Sequence, residues 1–429
     1  MTASTPGKHK SKRPGPKRKP TGAYLVGSAV VLMVTLICIV GFSALLLRPS
    51  AAPLARVWML NHTPDQVIII NPFDGVIEKK FLVADGLREL AFSLDYTKAY
   101  VANVVDVSNR FTVLDTRTYL DEEVVEVDGV PQGFGVFPDN RKLAVILGSK
   151  TDFMAGGFDV IDLYEQSRAD PRKKKRLYRE RELQLTHKIA IGDDGDRIYC
   201  IDAKSALVSV FSFNQKQRIK QIDLHGAPEE MLYPRVGGYY YISVLVHDAI
   251  YQLSKETDEV EAVYTYEKRD LTKMFDHARL RFMAVDSQAK YLFGTCYERQ
   301  SIAIWQIGNK MFAEHWENIP YDPANETSYR FEREHYLPYK KLALKGGYTD
   351  RFTFVPGGQQ IVVDPHDEFV FVVDDEGGFY IYDLAKLLHA VDQSTPEPRA
   401  IIELGRETEI RDMKACRPAA GSTSSSEGT

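Results

Sequence analysis

The sequence predicts an all-β protein, a seven-bladed β-propeller preceded by a single N-terminal transmembrane helix. Three observations carry that reading: an apolar run behind a purely basic leader, a five-residue strand pattern that recurs seven times after it, and an incomplete strand set at each end of the repeats.

The leader comes first. None of residues 1–49 is acidic, and Lys8, Lys10, Lys12, Arg13, Lys17, Arg18 and Lys19 precede an apolar run from Ala23 to Leu47. Residues 1–22 read as a basic cytoplasmic tail, 23–47 as the membrane helix and 48–55 as a linker. At about 1.5 Å per residue the run exceeds a hydrocarbon core of roughly 30 Å. Only Arg48 and Arg56 lie close beyond it. The positive-inside bias therefore puts the N-terminus in the cytoplasm and the head in the periplasm or extracellular space, an arrangement that suits a bacterial inner membrane. A cleaved signal peptide is the alternative, since Ser50-Ala51-Ala52 offers small residues. A cleavable apolar region, however, usually runs only about 7–15 residues.

Charge and cysteine usage narrow the partners. The 429 residues carry a net charge of −5, and setting aside the eight basic residues up to Arg48 leaves the head near −13. So acidic a head is a poor ligand for nucleic acid. Cys38 falls in the apolar run, and Cys200, Cys296 and Cys416 lack the spacing of a disulfide framework, a CxxC zinc pair or a CxxCH haem site.

The repeat fills the head, 56–416. Val67 to Asn71 (VIIIN), Phe111 to Asp115 (FTVLD), Phe158 to Asp162 (FDVID), Leu207 to Phe211 (LVSVF), Ile250 to Ser254 (IYQLS), Ile302 to Gln306 (IAIWQ) and Phe379 to Asp383 (FYIYD) follow at steps of 44, 47, 49, 43, 52 and 77 residues. Periods in the forties with several strands per unit are the mark of propeller blades. Inner strands and turns precede the pattern, as in Leu90 to Asp95 with Ala99 to Asn103, and charged outer strands follow it, as in Glu122 to Val127. The array begins at Arg56 without an inner strand, while Glu409 to Met413 (EIRDM) matches Leu87 to Leu90 (LREL) and has no blade of its own. A C-terminal strand is therefore expected to close the first blade, with 417–429 as a disordered tail.

At these residues the chain resembles the YVTN-type seven-bladed propellers, related to the lactonase-like and amine-dehydrogenase-like groups. Ala99 to Asn103 (AYVAN), Phe111 to Thr116 (FTVLDT), Gly129 to Gly133 (GVPQG) and Val136 to Asp139 (VFPD) run in that family's order, and the match is clearest over 85–148. The resemblance implies the fold and leaves the activity open, because propellers host many functions.

Three features are candidates for chemistry or contact. The run Arg168 to Arg181, with Arg172, Lys173, Lys174 and Lys175 at its centre, reads either as a docking loop for an acidic partner or as a hairpin leading into a charged edge strand. The stretch Trp316 to Arg351 carries Trp316, Tyr321, Tyr329, Phe331, Tyr336 and Tyr339 without a helical or strand period. It reads as a partner-binding loop or lid, or as a loop packing its own aromatics. His225 and His277 each stand six residues before a methionine, Met231 and Met283, one blade apart, with His187 nearby, and the three are candidate metal ligands. Local hydrogen bonds at blade turns are the competing role for those imidazoles. Asp193 to Asp196 and Asp374 to Gly378 resemble calcium loops in composition but fall where turns are required.

No GxSxG, HExxH, Walker or dinucleotide motif is present. The expected function is a non-enzymatic binding or scaffold module for a protein partner or small ligand, with no cofactor. The alternative is an exterior enzyme of lactonase-like or quinoprotein type working at the channel mouth.

Overall fold

The computed structural model describes residues 55–62, 64–83, 86–103, 109–148, 155–184, 186–202, 205–224, 226–244, 248–266, 280–296, 301–315, 334–343, 360–374, 377–392, 394, 396–404 and 410–416. The chain divides into two units, Met1–Ala52 and Pro53–Thr429, and every described residue belongs to the second. The expected membrane helix at 23–47 and tail at 417–429 lie outside the described residues. Among the described residues no helix is long and apolar enough to cross a membrane.

Among the described residues seven sheets, each with an antiparallel four-stranded blade, form a seven-bladed β-propeller. From the axis outward the second blade runs Leu87–Phe92, Lys98–Asn103, Arg110–Asp115 and Asp121–Glu126. The third runs Val130–Val136, Lys142–Gly148, Ala155–Gln166 and Lys174–Gln184, and the fourth Thr186–Ile191, Arg197–Asp202, Leu207–Ser212 and Gln217–Asp223. Pro228–Leu232, Tyr239–Val244, Ala249–Ser254 and Val260–Thr265 make the fifth; Leu280–Val285, Tyr291–Cys296, Ser301–Gln306 and Lys340–Ala343 the sixth. The seventh is Gln360–Val363, Phe369–Val373, Gly378–Asp383 and Ala400–Glu403, with a helix at Leu384–His389 before its outer strand. The first blade draws on both ends of the head: Ile410–Cys416 is innermost, followed by Arg56–His62, Asp65–Asn71 and Val76–Phe81.

Each copy of the five-residue pattern is the third strand of its blade. Such a strand is packed on both faces, so it reads as a continuous apolar run instead of an alternating one. Asp65–Asn71 is buried at all of Val67 to Asn71. The two faces nevertheless go to different neighbours, because successive side chains point to opposite sides. In the first blade Val57 and Met59 pack with Phe371 and Phe379 of the seventh, while Trp58 and Leu60 pack with Leu90 and Val101 of the second. Each of the seven core clusters is shared by two adjacent blades in this way.

The polar residue at the end of several of these strands holds the next turn. Asn71, Asp115 and Ser254, which close their copies, and Ser212, which follows Leu207 to Phe211, each accept through the main-chain carbonyl an N–H from the residue four positions on, at 2.9–3.0 Å. Their side chains accept further N–H groups inside the same turn, as Asp115 Oδ1 does from Arg117 and Thr118 at 2.7 and 2.9 Å. The fourth residue on adopts a left-handed conformation, at Gly75 (φ 65°), Tyr119 (60°), Lys216 (58°) and Asp258 (56°).

The described parts of two expected insertions contain strands. Arg168 to Arg181 lies in a long hairpin, Ala155–Gln166 paired with Lys174–Gln184, so the basic run is largely the outer strand of the third blade. The stretch expected to lack a strand period contains two: Lys340–Ala343 is the outer strand of the sixth blade, and Glu334–Tyr336 pairs in parallel with Val260–Thr265. Ala313–His315 adds beyond it, giving the fifth sheet six strands. These segments are short, and their conformation is set by the neighbouring strand edge instead of by side-chain alternation.

Candidate functional site

An innermost propeller strand has one edge paired within its blade and one edge facing the axis, so its first residues line the central channel. In five blades the register of that strand slips near its start, between Leu87 and Glu89, Pro131 and Gly133, Thr186 and Ile189, Pro228 and Glu230, and Leu280 and Met283. In the first blade it slips opposite Leu60 and Asn61. Each slip is a β-bulge, which leaves an extra residue out of the ladder and re-aims its side chain. Arg88, His187, Glu229, Arg281 and Arg411 stand at these slips. Glu89, Lys188, Glu230, Phe282 and Asp412 follow them, just before the buried Leu90, Ile189, Met231, Met283 and Met413.

A cavity of about 460 Å³ opens here, lined by these residues other than Asp412, together with His62, Gly86 and Leu87. A second of about 200 Å³ continues among the inner strands of the fifth, sixth, seventh and first blades, and shares Lys188, Glu230, Phe282 and Arg411 with the first.

Lys188 is the hub between them. Its ammonium lies 3.5 Å from Glu89 and 3.4 Å from Glu230, with all three side chains no more than 20% exposed. Burial alone would depress the lysine, but Glu230, Glu89 and Asp412 outweigh it and hold its pKa above the usual range. Burial pushes the Glu89 carboxyl up, against the pull of Lys188. Gly133 makes room for that carboxyl: a Cβ there would meet Glu89 Oε2 at 2.8 Å. Asp412 accepts the Leu90 N–H at 2.8 Å and pairs with Lys414 at 3.5 Å.

The outer layer is more cationic. Arg281 pairs with Glu229 at 2.8 Å. His187 Nε2 contacts the Glu229 carbonyl at 2.7 Å, and Gln360 Nε2 donates to the Arg411 carbonyl at 2.8 Å, so both cross-link adjacent blades. Arg88 alone among these cations makes no hydrogen bond or ion pair to any described residue. Burial lowers its pKa and the neighbouring Arg411 lowers it further, while Glu89 opposes them.

The residues singled out from sequence divide sharply. His187 lies at the channel mouth, where its ring nitrogen meets a backbone carbonyl. His225 and His277 lie outside the described residues, among which no group of three or more His, Cys, Asp or Glu is placed to hold a metal ion. Trp316, Tyr321, Tyr329 and Phe331 also lie outside them. Tyr336, expected at a binding surface, is instead a core residue: it is buried and stacks on Tyr264 with ring centroids 5.2 Å apart. Tyr339 is half-buried with the Lys340 ammonium 5.2 Å from its ring.

The basic hairpin answers to the protein's own acids. Lys174 pairs with Glu123 at 2.6 Å, Lys175 with Glu165 at 2.7 Å and Arg172 with Asp170 at 3.2 Å, while Lys173 meets Asp128. Lys173 and Arg179 hold the Asp128 carboxyl down at about 2. The Asp-rich segments are turns, with Asp194 Oδ1 accepting the N–H of Asp196 and Arg197 and Asp374 Oδ1 that of Gly378.

Fold and channel together define a seven-bladed β-propeller with a charged axial pocket. No family model and no curated protein matches the chain. Solved structures share the fold. Hydrazine synthase of Kuenenia stuttgartiensis aligns with a TM-score of 0.54 and 14% identity over 74% of this chain and 88% of that one. A functionally unknown protein from Desulfotomaculum acetoxidans aligns at 0.57 with 10% identity over 83% and 98%. The Cps50 (Swd1) propeller domain of Myceliophteria thermophila aligns at 0.50 with 12% identity over 76% and 95%. At such identities the likeness is one of fold.

Proposed function

We propose that the protein is a membrane-anchored exterior β-propeller that binds a ligand at the mouth of its central channel. The observation that carries this reading is the axial cavity itself, where charged side chains from several blades converge on one space and one of them, Arg88, makes no hydrogen bond or ion pair to a described residue. A cavity of this size, on a rigid ring and with few convergent polar groups, suits a small ligand. Its described lining offers no hydroxyl or thiol nucleophile, which favours binding over covalent catalysis. The anchor and the exterior location rest on the apolar run at 23–47 and its basic flank, and the kinship with YVTN-type propellers on the motifs between 85 and 148.

One substitution tests location and site together. Phe282 is half-buried in the mouth, whereas Cys200, Cys296 and Cys416 are buried, with the Cys416 thiol pushed up to about 12 by burial. A membrane-impermeant maleimide added to intact spheroplasts is expected to label the Phe282→Cys variant and not the parent. Soluble exterior extract should slow that labelling without slowing it at a Leu120→Cys control. Labelling only after lysis overturns the exterior location, and labelling indifferent to the extract overturns the binding site.

A further inference from the structure

We infer that the ligand of the channel mouth is a small organic anion, held through a carboxylate or phosphate by Arg88 with Arg411 and Arg281 around it. The inference rests on the binding reading above and adds the ligand's chemistry.

Charge balance within the cavity is the first argument. Its lining holds Arg88, Lys188, Arg281 and Arg411 against Glu89, Glu229 and Glu230. The pocket is thus cationic inside a head whose sequence charge is near −13. The three carboxylates are also committed, Glu229 to Arg281 and the other two to Lys188, which leaves Arg88 without a carboxylate of its own. A guanidinium is a rigid fork of donors that carboxylate and phosphate oxygens match in pairs. Placing one in a part-buried site beside a second guanidinium costs free energy that an arriving anion recovers, and the downward pull of burial and of Arg411 on the Arg88 pKa has the same origin.

Size and shape argue for an organic body. About 460 Å³ is far more than a bare inorganic ion fills. Phe282 supplies a flat apolar wall beside the cations, with the Arg281 guanidinium 5.0 Å from its ring.

The test uses the full-length protein in detergent, with citrate, glucose 6-phosphate and glucose as probes, read by thermal shift and calorimetry. At least one anionic probe is expected to bind saturably, more weakly as salt is raised, while glucose does not. Citrate binding without the phosphate assigns a carboxylate ligand, and the converse assigns a phosphate. Arg88→Gln should weaken binding at least tenfold without lowering the ligand-free melting temperature, since Arg88 makes no hydrogen bond or ion pair to a described residue; Arg88→Lys should retain part of the affinity. Equal anion effects on parent and Arg88→Gln, or no saturable effect of either anion, overturn the inference. If the Phe282→Cys label is still slowed by extract in that case, the binding site stands and only the ligand's chemistry is wrong.

Discussion

Lys188 carries the interior charge of the channel, and its removal is the sharpest test at the scale of one residue. Lys188→Met strands Glu89 and Glu230 in a part-buried site, and breaking such a cluster costs about 3–5 kcal/mol. The loss should depend on pH. Glu89 already has a folded pKa above its unfolded value, and without the lysine it rises further. Between the unfolded value of about 4.3 and that raised value the native state binds more protons than the unfolded one, so the variant regains stability as pH falls. Urea denaturation should show a large deficit at pH 8 that shrinks by pH 5, and adding Glu89→Gln and Glu230→Gln should recover part of it at pH 8. A deficit independent of pH would mean that the lysine acts by packing alone. These charged residues were only partly legible in the sequence. A charged pair just before an apolar inner strand recurs in LREL, EEML and RDM, and the match of EIRDM to LREL points to ring closure without pointing to a site. What pairing of strands could not reveal is the bulge, a register slip that turns residues such as Arg88 and Arg411 toward the axis. The usual chemistry of histidine points to metal binding, whereas His187 links adjacent blades through the Glu229 carbonyl.

At the scale of the element, the turn after the third strand shows why the repeat could be read. Its apolar letters are dictated by burial on two faces, and its closing Asn, Asp or Ser by the N–H groups of the following turn. Asp115 shows the arrangement most fully: the Arg117 guanidinium, together with the Thr118 and Arg117 N–H groups, holds its carboxyl at about 2 against the opposing effect of burial. A folded pKa below the unfolded one adds stability that is present above about pH 4 and disappears as pH falls toward 2. Asp115→Ala should cost roughly 1–2 kcal/mol at neutral pH, and Asp115→Asn less, because the amide oxygen still accepts. Chemical denaturation of the two variants from pH 7 to pH 3 checks both order and sign, and an Asn variant as damaged as the Ala one would deny the turn its acceptor. Where the pattern is diluted the sequence is mute: Glu334–Tyr336 and Ala313–His315 are three-residue strands recruited by an existing edge, too short to show a period. That is why Tyr336 looked like an exposed anchor and is a core ring.

The whole molecule depends on one seam. Ile410, Met413 and Cys416 are buried in the strand that completes the first blade, and the first two alone stabilise by about 3–6 kcal/mol, comparable with the net stability of a domain. A chain ending at residue 409 should melt about 10 °C lower or associate on size-exclusion chromatography, and a peptide spanning 410–416 should restore part of the loss by strand addition. An unchanged monomer would show that the six complete blades hold the first in place unaided. The same seam sets a clock. Ile410–Cys416, the inner-side partner of Arg56–His62, is made roughly 350 residues later, which at about 5–20 residues per second is on the order of 20–70 s. Throughout that interval the earliest hairpin presents an open edge on which any extended chain can anneal. Translation that stalls before Ile410, or a nick that removes the last strand, leaves that edge exposed, and with it a ready signal by which quality control can tell an unfinished ring from a finished one.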